Sequence, residues 1–469
     1  MTKHFLTLLI MMIVLSGCSM APRYDRPDAP ISADWPVGAS YGENASPTEI
    51  SMASDVQWRE FFTHESLRTV IEMALADNRD LRIAALNVQR ARAMYGIQRA
   101  ELFPTVNASA GLMKGRISTS SFGGGGGANV EQYSVDLGIS SWEIDFFGRL
   151  RNLKDQALEE FLATEEARRS AQISLIFEVA NAYLSLAADR ENLRLAQTTY
   201  ETQKKTYNLI QQRFQVGIAN ELDLRRAQTQ VDAARVDISQ YTQRIAQDEN
   251  ALNLLVGAAA AIPEELQPGA LNDVAAPQTI TAGLSSEILL NRPDVLAAEH
   301  QLKSAYANIG AARAAFFPRI SLTTALGTAS GELSDLFSSG TETWSFVPQI
   351  TAPIFDSRLW SAYKVSETDR EIALNQYEKS IQTAFREVAD ALAVQGTVDE
   401  QISAQQSLVE AFARSYELSE QRYDKGLDSY LSVLDAQRSL YMAEQQLVTL
   451  RLAKYVNQAR MYAVLGGGA

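Results

Sequence analysis

The chain has 469 residues, 46% apolar and 21% charged, which is material enough for a large core and excludes collagen-like and disordered classes. Lys and Arg number 42 against 56 Asp and Glu, a net charge of −14, so nucleic acid is not an expected partner. One cysteine, Cys18, and 3 histidines, His4, His64 and His300, are too few for a zinc site or a Cys/His catalytic pair, so no enzyme, metal or cofactor chemistry is expected.

Lys3 and His4 precede an apolar run from Phe5 to Leu15, about 11 residues where a membrane-spanning helix needs roughly 20, so residues 1–17 read as a signal peptide. The run ends in Leu15-Ser16-Gly17-Cys18, which resembles a bacterial lipobox, with lipid attached to Cys18 and cleavage just before it. Ser19, rather than Asp, follows, the pattern of lipoproteins delivered to the outer membrane. Five of the 13 prolines lie between Pro22 and Pro47, so residues 18–65 are expected to form an extended, lipid-anchored strap. No later segment offers 18 uninterrupted apolar residues, so any further membrane crossing must be made by β-strands.

A first repeat is expected over 66–257. Its opening helix runs up to Pro104, after which Val106, Ala108, Ala110 and Leu112 alternate, and Tyr133, Val135, Leu137 and Ile139 alternate again beyond the glycine-rich loop 118–128. Residues 149–216 contain neither glycine nor proline, and a continuous helix of that length would run about 100 Å at 1.5 Å per residue. Val179, Leu186, Leu193, Tyr200, Tyr207 and Phe214 recur every seven residues, and so do Leu224, Val231, Ile238, Ile245 and Leu252 after Gly217. These are heptad seams of two antiparallel helices, with the hairpin tip near Gly217.

Residues 258–284 read as a linker, and 285–469 as a second repeat. Asp80, Val88, Gly96, Arg99, Phe103 and Pro104 match Asp294, Leu302, Gly310, Arg313, Phe317 and Pro318 at an offset of 214. Farther on the offset is 209: Glu178-Val179-Ala180 returns as Glu387-Val388-Ala389, Gly217 as Gly426 and Gly257 as Gly466. The second tip is therefore placed near Gly426, with heptads Val388, Ile402, Val409, Tyr416 and Tyr423 before it and Val433, Leu440 and Leu447 after it; Gln395 and Lys454 break the pattern. Ile320 to Leu326 and Trp344 to Ile350 alternate as the second strand pair.

Four strands of about ten residues suit a bilayer crossing, but they cannot close a membrane barrel, because open edges in lipid leave backbone groups unpaired and the smallest barrels have eight strands. Two copies would give eight strands with a filled interior and three would give 12 with a lumen, so a homotrimer is expected. A soluble coiled coil is the simpler alternative for the helices, and the strands argue against it. The fold class expected is a mixed α+β membrane protein with an internal twofold repeat, its 12-stranded β-barrel shared by three chains and continued by an α-helical barrel of hairpins. Minor signals carry little: the glycines at 123–127 lack the Lys-Ser/Thr of a phosphate loop, His300 reads as structural, and Glu178 and Glu387 read as solvated or ion-paired.

The lipobox, the doubled halves, the tips Arg213-Phe214-Gln215-Val216-Gly217 and Arg422-Tyr423-Asp424-Lys425-Gly426, and the segments Trp142 to Arg149, Gly310 to Pro318 and Leu434 to Arg438 together resemble the TolC/OprM-like outer membrane efflux lipoproteins. The resemblance covers essentially the whole mature chain. It implies the exit duct of a tripartite multidrug or solute efflux system in the outer membrane. The implied partners are a periplasmic adaptor, an inner-membrane RND-type transporter and, through Cys18, the outer membrane lipid. By family pattern the pore constriction maps onto Leu431 and Asp435, with Asp223 as a partner position. Asp428 stands where some relatives carry a base, and Arg438 is a candidate for the gate ion pair. Val216, Gly217 and Ile218, with Lys425, Gly426 and Leu427, are the expected adaptor-contact tips. The alternatives are a duct for type I secretion or metal-ion export, or a coiled-coil envelope lipoprotein without a pore.

Overall fold

The computed structural model describes residues 19–41, 56–118, 127–257, 261–278 and 285–467. The expected signal peptide, Cys18 and most of the 118–128 loop lie outside them. Eight α-helices and four strands, besides short 3-10 turns, are found among the described residues: α1 (Trp58–Phe61), α2 (Glu65–Asp77), α3 (Arg79–Ala100), β1 (Val106–Ser118), β2 (Gly127–Glu143), α4 (Arg149–Gln215), α5 (Glu221–Val256), α6 (Pro293–Ala314), β3 (Arg319–Ser330), β4 (Glu342–Thr351), α7 (Ser357–Asp424) and α8 (Tyr430–Val464). Each half contributes a 22-residue helix, two strands and a long hairpin, in the order read from the repeat. The strands of the first half are longer than expected, 13 and 17 residues. The strap is not extended to its end either: Trp58, Phe61 and Phe62 are buried together around α1, where Phe61 stacks on Tyr462 at 4.5 Å, so apolar spacing at i, i+3 and i+4 makes a helical turn.

The described residues divide into two compact units, and each draws on both repeats. The first comprises residues from 1–28, 87–165 and 297–377. Its sheet is antiparallel in the order β1-β2-β3-β4, leaving β1 and β4 as open edges. Rows such as Ala108↔Leu137↔Leu326↔Trp344 put the alternating residues of all four strands on one apolar face, while Ser109↔Asp136↔Gly327↔Thr343 lies on the other. The register slips between Ile139 and Trp142, where Ser141 takes a left-handed φ of 54°, a bulge that the alternation alone does not announce. Beneath the sheet, Arg149 grips Glu143 with two hydrogen bonds of 2.9 and 2.7 Å. The strap lies on α4 and α6: the Ser19 hydroxyl donates to Asn152 at 2.8 Å, and Glu299, only 3% exposed, accepts from Arg26, Tyr24 and Lys303. His300 is satisfied by Glu159 at 2.6 Å, the structural role expected of it.

The second unit comprises residues from 29–86, 166–296 and 378–469. Here the duplication is visible as chemistry. Asn78, at the head of α3, donates to the Leu255 carbonyl at the end of α5 at 2.8 Å; Arg292, at the head of α6, donates to the Val464 carbonyl at the end of α8 at 2.7 Å and also holds Asp294 and Glu387. Glu387 is thus ion-paired. Val179, Leu186 and Val388 are fully buried, as their heptads require. Toward the first tip the seam shifts: Ala196, Gln203 and Ile210 are the buried heptad in the single chain, while Leu193, Tyr200 and Tyr207 are half-buried and Phe214 is exposed. The two rows, three residues apart, share one side of α4, and the row of smaller side chains sits deeper. One window of α4 is long and apolar enough to cross a membrane by composition, but 56% of it is buried within the protein, as expected of a core helix.

Candidate functional site at the hairpin tips and on the strand wall

Both long helices end in the same backbone turn. At the first tip, Gly217 N–H donates to the Phe214 carbonyl (3.0 Å) and Ile218 N–H to the Arg213 carbonyl (2.8 Å); at the second, Gly426 donates to Tyr423 and Leu427 to Arg422, both at 2.9 Å. These are Schellman closures, which require a left-handed residue, and the glycines supply φ of 77° and 69°. The turns expose apolar side chains: Val216 is 70% exposed, Ile218 77% and Leu427 65%. Lys425 is exposed as well.

Below the turns the two hairpins share one apolar cluster of Ile210, Ala227, Tyr430, Val433 and Leu434, flanked by Tyr207, Leu224, Tyr416 and Tyr423. Arg213 of the first hairpin donates to the Tyr423 hydroxyl of the second at 3.1 Å and lies over its ring. The Tyr430 hydroxyl is buried without a hydrogen-bond partner among the described residues. Burial first, then Tyr423, Tyr416 and the Asp223 carboxylate, raise its pKa above the ordinary tyrosine value.

The expected constriction residues lie on the first turns of α8. Leu431 is 41% exposed, and the Asp435 carboxylate points to solvent. Arg438 reaches Asp435 of its own chain at 3.4 Å, one helical turn along, so in the single chain its partner is the acid expected at the constriction. Asp223 sits in the first turn of α5, where Asn220 caps its N–H at 2.8 Å. Sequence reasoning missed the ion pair between Arg422 and Asp428 at 3.3 Å, which closes across the second turn. The Ser429 N–H, the Ser432 hydroxyl and Arg422 together hold the Asp428 carboxyl below its ordinary pKa. It also missed Leu222, 57% exposed and 209 residues before Leu431, which the repeat offset alone identifies.

In the other unit, the apolar sheet face carries Val106, Leu112, Leu137, Leu326, Trp344, Phe346 and Ile350, all more than half exposed. The opposite face is built mainly from Asn107, Ser109, Gln132, Ser134, Asp136, Thr343 and Ser345 with glycines and alanines, interrupted by Met113, Val130 and Val347, and a concavity of about 460 Å³, lined also by Leu112 and Trp344, opens on it. An antiparallel sheet apolar on one side and polar on its hollow side is a wall between lipid and water.

Comparison with known proteins agrees with this geometry. The outer membrane efflux protein family matches residues 70–258 and 284–467. The probable efflux pump outer membrane protein TtgC of Pseudomonas putida is 45% identical over 471 residues, covering 100% of this chain and 96% of that one. Among solved structures, a membrane protein from Pseudomonas aeruginosa superposes with a TM-score of 0.88 at 38% identity, covering 96% of this chain and 98% of the other. The open state of the Neisseria gonorrhoeae MtrE outer membrane channel gives 0.85 at 36% identity, covering 96% and 98%.

Proposed function

This chain belongs to the outer membrane efflux protein family, and on that premise we propose that three copies close one 12-stranded barrel in the outer membrane and act as the exit duct of a tripartite pump for drugs and other small solutes. It is an outer membrane efflux component with a transport role rather than a catalytic one. The observation that carries the assembly is the four-stranded sheet with an apolar face and two unpaired edges. In hydrocarbon, unpaired edge amides cost several kcal/mol each, so β1 of one copy must pair with β4 of the next. A coiled-coil spacer has no use for such a sheet.

The strap supports attachment of lipid to Cys18. Ser19, the residue that follows it in sequence, is held by Asn152 in the first turn of α4, the helix that follows β2. Domain boundaries follow the repeat: strap 18–65, first repeat 66–257, linker 258–284 and second repeat 285–469. Leu431 and Asp435 line the narrowest point, with Asp223 beside them and Arg438 as their cation. Three Asp435 carboxylates around one axis favour cations, and Leu431 adds an apolar barrier. The exposed tips Val216-Gly217-Ile218 and Lys425-Gly426-Leu427 receive a periplasmic adaptor, which links the duct to an inner-membrane RND-type transporter.

The experiment is deletion of the gene with a broad toxicant panel, together with affinity purification of the cross-linked tagged protein. Hypersensitivity restored by the wild-type gene, with an adaptor and an inner-membrane transporter in the eluate, supports the reading. Unchanged susceptibility with neither partner recovered overturns it.

A further inference from the structure

On the hollow, polar face of the sheet one residue stands apart. Above the base row, where Glu143 is held by Arg149 and Arg319 opens β3, Asp136 is the only ionisable side chain on that face among the described residues. It is half-buried, and no described residue donates a hydrogen bond to it or pairs with its charge. Arg319 is eight residues from Gly327, the residue opposite Asp136, so about 27 Å of strand separates the two charges. The row through Asp136 reads Ser109, Asp136, Gly327, Thr343, and the row above it reads Gly111, Ser134, Ala329. Its neighbours are therefore small. Gly327 is small by necessity, because a Cβ there would collide with the Asp136 carboxylate and the Val135 carbonyl. The carboxylate thus lies over bare backbone on the wall of the concavity, which Asp136 itself lines.

We infer that Asp136, once in each copy, places a ring of three carboxylates on the inner wall of the strand barrel, and that this ring favours cations and cationic solutes over anions in the exit segment. The inference rests on the trimeric duct proposed above and adds to it a second selectivity element, separate from Asp435 at the tip. Its reach follows the Debye length, about 30 Å at 10 mM salt and 3 Å at 1 M, so a ring on a wide wall acts across the lumen only when salt is low. In the cell it acts on solutes passing near the wall, where screening over about 8 Å leaves the field intact.

The test is reversal potential in planar bilayers under a KCl gradient, with Asp136→Asn and Asp136→Lys made in the wild-type chain and in the tip variant Leu431→Ala/Asp435→Ala. The tip variant removes the other proposed carboxylate ring, so the contribution of the strand wall is read without it. Near 10 mM, Asp136→Asn is expected to lower the potassium-to-chloride permeability ratio by about twofold or more, Asp136→Lys to move it further toward chloride, and neither to change it near 1 M. Heat-modifiable gel migration confirms assembly of each variant. If assembled variants conduct with the parent's ion preference at low salt, the ring is refuted while the duct stands. If the wild-type assembly carries no current, the duct itself is refuted, and the ring with it.

Discussion

Ala219 at the first hairpin tip stands where Asp428 stands at the second, 209 residues later. Both tips close with the same two backbone hydrogen bonds around a left-handed glycine, yet only the second carries an ion pair across its turn, Arg422 to Asp428. In the first, Arg213 has turned instead to Tyr423 of the other hairpin. At the far end of the hairpins, Asn78 and Arg292 reach matching carbonyls, one with a neutral amide and the other with a guanidinium that also binds two carboxylates. Midway, the neighbouring acids Asp189 and Asp248 of the first hairpin correspond to Val398 and Asn457, both buried, in the second. Duplication has kept the backbone joints and let the side chains between them diverge, so the two halves serve as controls for one another.

The largest expected contrast is at the joints. Arg292→Ala leaves the Glu387 carboxylate and the Val464 carbonyl without their partner and should cost about 3–5 kcal/mol, against about 1–2 kcal/mol for Asn78→Ala. Denaturant unfolding of the detergent-extracted protein measures both, and equal losses would show that the charged joint holds no more than the neutral one.

Next comes the constriction. Leu431→Ala with Asp435→Ala should raise single-channel conductance by about twofold or more and admit large antibiotics such as vancomycin into cells. The offset counterparts, Leu222→Ala with Arg226→Ala, should do so to a smaller degree. An unchanged current in the first pair removes Leu431 and Asp435 from the gate.

A smaller effect is expected where the halves differ midway. Burial, then the charge of Asp189 and a hydrogen bond shared with it, push Asp248 up to about 6; Arg244 opposes this and Glu249 adds to it. Because the folded value lies above the ordinary 3.8, the stabilisation is complete below about pH 4 and is lost as pH rises through about 6. The melting temperature should therefore fall between pH 5 and pH 7.5 in the wild type, and this step should shrink in Asp248→Asn. A step of undiminished size assigns the pH response to other groups.

The smallest effect is local. Asp428→Ala removes the acceptor for the Ser429 N–H and the Ser432 hydroxyl, so amide exchange should quicken in the first turn of α8 and stay unchanged at the Asn220-capped start of α5. Exchange that quickens equally at both starts would mean that the tips are coupled through their shared cluster.

Much of this was legible before any coordinates. Period-two runs located all four strands because one sheet face is apolar and the other is not, and the glycine and proline gaps located the hairpins because a long helix tolerates neither residue. The repeat fixed the element order. What escaped the sequence depends on contacts distant along the chain or on residues without a hydrophobic signature. The deep seam of Ala196, Gln203 and Ile210 was hidden because alanine and glutamine add little to a heptad pattern beside Leu193 and Tyr200. The clamp of Tyr24 and Arg26 on Glu299 spans more than 270 residues and has no local signal. The bulge at Ser141 breaks a register that alternation predicts as continuous. At the tip, Leu222 was within reach, since the offset that led from Gly217 to Gly426 leads equally from Leu431 back to Leu222.

The central claim is that the conducting wall is shared between copies, and the most direct measurement is the mass of the detergent-extracted assembly combined with single-channel recording of the same preparation. Three copies per particle with discrete conductance steps is the predicted result. A single copy that leaves the bilayer silent would contradict it.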